Sequence, residues 1–145
     1  MYDTILVPTD GSAAVVEAVE RAVDLAERYD ATVHALYVVD SSAYGTLDMS
    51  TSVVVDALED EGETAVSYVA EEAEAAGVPV ETAVVTGTPH RTIMDYIDDH
   101  DVDMVVMGTH GRRGFDRFLL GSVTEKVVRT APVPVMTVRV PDEEE

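Results

Sequence analysis

A chain of 145 residues, 46% of them hydrophobic, is long enough for one domain with a packed core and too apolar for wholesale disorder. It has no cysteine, which excludes a disulfide framework, a thiol nucleophile and a thiolate metal site. Twenty-nine acidic residues against nine basic ones give a formal net charge of −20, a balance expected to repel nucleic acid and anionic membranes.

The first segment, MYDTILVP, runs straight into a strand-like stretch without a basic start or cleavage site, and no apolar run is long enough to span a membrane. A cytoplasmic location is therefore expected. Ile5, Leu6 and Val7 are continuous and apolar, as buried parallel strands tend to be, so the first strand reads as Tyr2 to Pro8. The turn Pro8-Thr9-Asp10-Gly11-Ser12 follows, with Ser12 or Asp10 able to cap a helix that runs to about Tyr29. Val15, Val19, Ala22, Val23 and Ala26 form its inner face. Thr32 to Val39 is the second strand.

Asp40 to Ser52 is polar and rich in turn residues, the longest segment without a helix or strand pattern. A long helix follows from about Ser52 to Ala76, with Gly62 as a weak point and Gly77 where a C′ glycine belongs. Val80 to Val85 reads as the third strand. Thr88-Pro89 opens another helix with Ile93 and Ile97 inside, and Asp103 to Met107 reads as the fourth strand. Ser122-Val-Thr-Glu125 has capping-box spacing and opens the last helix. Val133 to Val140 is the fifth strand, and Pro134, which lacks a ladder donor, points to a sheet edge. Residues 142–145 form a solvated acidic tail.

Strand and helix alternate throughout, so crossover connections and a parallel sheet are required. The expected architecture is one three-layer α/β/α domain over residues 1–145 with a five-stranded parallel sheet. Ligands of such sheets bind outside the carboxyl ends of the strands. The loops after the first and fourth strands both leave from such ends, and both carry glycine.

The richest pattern follows the fourth strand: Gly108-x2-Gly111-x9-Gly121-Ser122. Glycines after a strand let backbone N–H groups approach a ligand, and many need a positive φ. A serine opening a helix leaves donors at the positive end of its dipole. Together these features describe an anion cradle, best suited to phosphate. Of the nine cations, Arg112, Arg113, Arg117, Lys126 and Arg129 fall within eighteen residues that overlap this pattern. Arginine suits phosphate through its fixed donor fork, although Arg129, near a helix C-terminus, reads better as an ion-pairing residue.

The chain resembles the nucleotide-binding type of universal stress protein over almost its full length, from ILVPTDGS to PVPVMTVR. The glycine pattern is the most specific part of the likeness. The resemblance implies a sheet order of 3-2-1-4-5, an adenine nucleotide alpha hydrolase-like, Rossmann-like arrangement that spacing alone does not yield. It further implies that Pro8, Thr9 and Asp10 contact ribose and adenine and that Val39 lines the adenine pocket. Met107 and Gly108 would approach the sugar and phosphates. Gly111, Arg112, Gly121, Ser122 and Val123 would hold the phosphates. The implied ligand is ATP with Mg²⁺, and the implied assembly is a homodimer through the fifth strand.

Other phosphate-binding patterns fit worse. A Walker A motif requires a lysine beside its second glycine, and the sole lysine, Lys126, is not so placed. The Gly-x-Gly-x-x-Gly fingerprint is absent, and the third strand ends in Val-Thr-Gly where a receiver domain would place a phosphorylated aspartate. Asp98-Asp99-His100-Asp101 does not put three ligands on one helical face, so no metal site is expected there. His34 and His90 read as structural and His110 as an exposed loop residue. No histidine or carboxylate stands out as a base for water. The expected function is an ATP-binding regulator or sensor in stress response with at most slow hydrolysis. A nucleotide-hydrolysing or nucleotidyl-transfer enzyme, or a structural dimer without nucleotide, are the alternatives. The acids are spread over helices and termini, which favours adaptation to high salt over an acidic partner-binding face.

Overall fold

The computed structural model describes residues 2–40, 50–109 and 121–139. The apolar runs become strands, of which β1, β2 and β4 are buried along most of their length while the two edge strands are partly exposed. β1 spans Thr4–Pro8, β2 Thr32–Asp40, β3 Val80–Gly87, β4 Met104–Gly108 and β5 Val135–Val138. The helices are α1 (Val15–Tyr29), α2 (Ser50–Ala75), α3 (Pro89–Asp99) and α4 (Ser122–Thr130). All five strands are parallel and lie in the order β3-β2-β1-β4-β5. The implied order thus holds, and it puts β1 and β4 side by side at the centre.

Alternation along each strand divides the core in two. Ile5, Val7, Val33, Val39, Met104 and Val106 pack with α1 and α2. Leu6, Leu36, Val105 and Met107 pack on the other face with Ile93, Ile97 and Val127, from α3 and α4. Ile5, Leu6 and Val105 are wholly inaccessible. Burying one such side chain contributes about 1.5–3 kcal/mol.

Several boundaries differ from the sequence expectation for identifiable reasons. β1 begins at Thr4 rather than Tyr2, because the Asp103 carboxylate accepts from the N–H groups of Asp3 and Thr4 at 2.8 and 3.0 Å. Neither Ser12 nor Asp10 caps α1; Ala14 holds that position without a side-chain bond. The Asp10 carboxylate instead accepts from the Ser12 N–H at 2.9 Å, an Asx turn inside the loop. β5 starts at Val135, two residues later than expected, and Val140 lies outside the described residues. Pro134 precedes the strand, and its carbonyl still accepts from the Val105 N–H at 3.0 Å.

Gly77 fulfils its expected role. Its φ is 75°, and Val78 N–H donates to the Ala73 carbonyl while Gly77 N–H donates to that of Glu74, which is a Schellman ending. Gly62 is not merely a weak point of α2. A Cβ there would lie 2.6 Å from Cδ1 of the buried Tyr37 ring, so glycine is what lets β2 and α2 meet.

Candidate functional site

β1 ends at Pro8 between β2 and β4, where the strand order reverses and a crevice opens at the carboxyl edge. Thr9 prolongs the pairing by one residue, donating its N–H to the Leu36 carbonyl at 2.9 Å. The chain then turns tightly. The Thr9 hydroxyl oxygen accepts from the Gly11 N–H at 3.1 Å, and the Asx turn at Asp10 follows. Gly11 has a φ of 78°, which a side chain would disfavour. Among the described residues the enclosed Ser12 hydroxyl oxygen has no hydrogen-bond partner. An unsatisfied buried oxygen costs about 1–3 kcal/mol, which suits a loop that receives a polar ligand.

The neighbouring strand, β4, ends at Gly108, half-buried, and is tied to the start of α4. Thr109 donates its N–H to the Val138 carbonyl at 3.1 Å, and its own carbonyl accepts from the Gly121 N–H at 2.7 Å. The Thr124 hydroxyl donates to the Gly108 carbonyl at 3.0 Å. These bonds run from β5 across the end of β4 to the first turn of α4.

That first turn differs from the capping box read from sequence. Gly121, not Ser122, is the N-cap, and among the described residues no side chain caps the helix start. The first helical bond runs from the Glu125 N–H to the Gly121 carbonyl at 2.9 Å. The Glu125 side chain turns away to pair with Arg129 at 2.6 Å, as the ion-pairing reading of Arg129 expects. The N–H groups of Ser122, Val123 and Thr124 therefore precede the helical ladder and lie at the positive end of its dipole. Such a turn suits a phosphate.

Gly108, Gly121, Ser122 and Val123 are thus brought together, with Ser122 exposed. Pro8, Thr9 and Asp10 leave from the adjacent strand. Val39, near the end of β2, is buried in the α1/α2 core, whereas Met107 is buried on the α3/α4 side. Those two side chains point to opposite faces of the sheet. Neither Gly108 nor Gly121 has a positive φ; at Gly121 φ is −62° and ψ 155°. A left-handed backbone is therefore not what glycine supplies at Gly121. Gly111, Arg112 and His110 lie outside the described residues. Sequence reading missed Thr109, Thr124 and the enclosed Ser12 hydroxyl. Thr124 carries a faint signal, since it precedes buried Val127 by three residues on the same helical face.

Away from this edge, His34 near the start of β2 forms a buried group with α3. Its Nδ1 lies 2.7 Å from the Tyr96 hydroxyl, and the His100 ring stacks on Tyr96 at 3.8 Å. Burial pushes the His34 imidazole below its ordinary pKa, and His100 acts in the same direction against the opposing pull of Glu81. His90 bridges α3 to α4 through Thr130, at 2.8 Å. Both histidines are structural, as read from sequence. Among the described residues no group of three or more His, Asp or Glu is placed to hold a metal, and no helix is long and apolar enough to cross a membrane.

Comparison with known proteins agrees with this fold. The sequence model of the Universal stress protein family matches residues 1–139. Universal stress protein MJ0531 of Methanocaldococcus jannaschii is 38% identical over 146 residues, covering 99% of this chain and 86% of its own. The structure of universal stress protein UspA from Lactobacillus plantarum superposes with a TM-score of 0.88 at 37% identity, over 95% of this chain and 98% of that one. A universal stress protein solved in complex with cAMP superposes with a TM-score of 0.72 at 27% identity, over 94% of this chain and 97% of that one.

Proposed function

The chain belongs to the universal stress protein family, and from that premise we propose that it binds ATP at the carboxyl edge of its sheet and acts as a nucleotide-dependent stress-response regulator. The observation that carries this reading is the uncapped first turn of α4, fastened beside the end of β4 by Gly121, Thr109 and Thr124. The cAMP complex of a relative supports an adenine nucleotide as the ligand class. In this reading Ser122 and Val123 offer N–H donors to phosphate oxygens, joined by Gly111 and Arg112. Pro8, Thr9 and Asp10 hold ribose and adenine from the next loop. Gly108 and Met107 line the approach between them, and Val39 supports the adenine end from within the core.

Mg²⁺ enters with the nucleotide in this reading. At a formal charge of −20 the protein repels a bare polyphosphate, and metal neutralisation reduces that repulsion. Turnover is not the purpose of such a site. A second copy of the chain joins through β5. Incubation with Mg-ATP in molar KCl, following bound nucleotide and product together, tests the reading. Saturable binding with at most slow product release is expected. Multiple rapid turnovers would replace the regulator with a hydrolytic or nucleotidyl-transfer enzyme, and absence of binding would leave a structural role.

A further inference from the structure

We infer that Thr124 is a positioning residue for the phosphate end of this site: its hydroxyl sets where the donors of the first turn of α4 stand relative to β4. The inference rests on the nucleotide reading above and adds a residue to it. Threonine is among the poorer helix formers, and its usual recourse within a helix is to bond back to the carbonyl four residues earlier. Thr130 in this same helix does that, donating to the Lys126 carbonyl at 2.7 Å, and Thr64 in α2 does so to Asp60 at 3.2 Å. Thr124 does not. Its hydroxyl donates across to the Gly108 carbonyl, sixteen residues away, at 3.0 Å. At 5% exposure, water is a poor substitute for that bond.

The bond has a specific mechanical consequence. The Gly121 N–H, donating to the Thr109 carbonyl at 2.7 Å, fastens the start of α4 to the end of β4. Val127 in the core and the His90–Thr130 bond hold the later part of the helix, and one bond at its start leaves the first turn free to shift against β4. A second tether three residues on, to the neighbouring carbonyl of β4, removes that freedom. Between the two tethers lie Ser122 and Val123, whose N–H groups have no acceptor in the helix and, among the described residues, no capping side chain. Their direction is what phosphate oxygens would read, and hydrogen bonding weakens steeply as its angle departs from linear. The sole hydroxyl proton of Thr124 is committed to Gly108, so this residue orients the donors rather than touching the ligand itself.

A merely structural role would lower affinity for every ligand alike, whereas a positioning role acts on the phosphates alone. Competition against a fluorescent ATP analogue gives dissociation constants for ATP and for adenosine in the full chain. In Thr124→Val, which keeps the shape and removes the hydroxyl, ATP is expected to weaken about tenfold while adenosine holds within about twofold. Thr124→Ser restores the hydroxyl and is expected to recover most of the ATP affinity. If the valine variant fails to fold, Thr124→Ala against Thr124→Ser carries the same comparison. Equal loss of ATP and adenosine affinity, or unchanged ATP affinity without the hydroxyl, overturns the inference. A wild-type chain that binds adenosine and ATP equally also overturns it. A wild-type chain that binds neither overturns the nucleotide reading itself, and this inference with it.

Discussion

At Gly121 the backbone lies in a region open to any residue, with φ −62° and ψ 155°. Valine can adopt it, and the N–H that binds Thr109 is retained, so a side chain there is expected to act on whatever approaches the helix start. The contact of Thr124, a few residues on, was not legible in the sequence, because helical spacing hints at its burial but says nothing of its partner Gly108, remote in the chain. Gly62 was misleading for the same reason: propensity ranks it as a defect of about 1 kcal/mol, while the Tyr37 ring leaves no space for anything larger. His34 brings a separate prediction. Burial, the largest cause, and then the nearby His100 favour its neutral form in the native state, while Glu81 opposes them. A base with a lowered folded pKa contributes stability that is full above its unfolded value of about 6.5 and is lost as pH falls from there through the folded value. Denaturant unfolding of the wild type should therefore show declining stability as pH falls below about 6.5, and His34→Gln should flatten that limb. An equally steep limb in the variant would assign the loss to other groups.

Among the elements, the continuous apolar strands and the strand–helix alternation were readable, because burial on both faces and a fixed crossover demand them. Helix starts were less so. A serine followed three residues later by glutamate has capping-box spacing, yet Ser122 is exposed inside the first turn and Glu125 pairs with Arg129. Glycine at the N-cap leaves the donors open, which a capping box would have consumed; the local rule fails at the candidate site itself. Asp10 likewise serves its own loop through the Ser12 N–H and does not cap α1. β5 is an edge strand of four residues with the apolar Val135, Met136 and Val138. Such an edge is a pairing hazard unless covered, and a second copy related by a two-fold would cover it, as proposed above. Light scattering in molar KCl is expected to give a dimer, and Val135→Pro, which obstructs the strand, is expected to shift it toward monomer. A monomeric wild type would contradict the β5 interface.

Across the whole molecule, the sheet order that seats β1 beside β4 came from family likeness and not from spacing, since strand adjacency is set by packing between distant segments. Charge is the other global property. No lysine or arginine occurs between Arg28 and Arg91, and α2 alone carries eight carboxylates over its 26 residues. Asp56 and Asp60, and Glu59 and Glu63, are like-charged neighbours one turn apart, each pair costing about 0.2–0.5 kcal/mol. Their spacing of about 5–6 Å exceeds a screening length of about 3 Å in 1 M salt but not the roughly 10 Å of 0.1 M. The thermal midpoint should accordingly rise steadily with KCl toward molar concentrations; a midpoint indifferent to salt would contradict adaptation to high salt. The claim that joins these scales is that the carboxyl edge holds ATP through the start of α4. Calorimetric titration of Mg-ATP into the wild type and Gly121→Val in molar KCl tests it. One saturable site per chain is expected in the wild type, with roughly hundredfold weaker binding, about 2.7 kcal/mol, in a variant of unchanged melting temperature. No binding by the wild type, or equal affinity in both proteins, would contradict it.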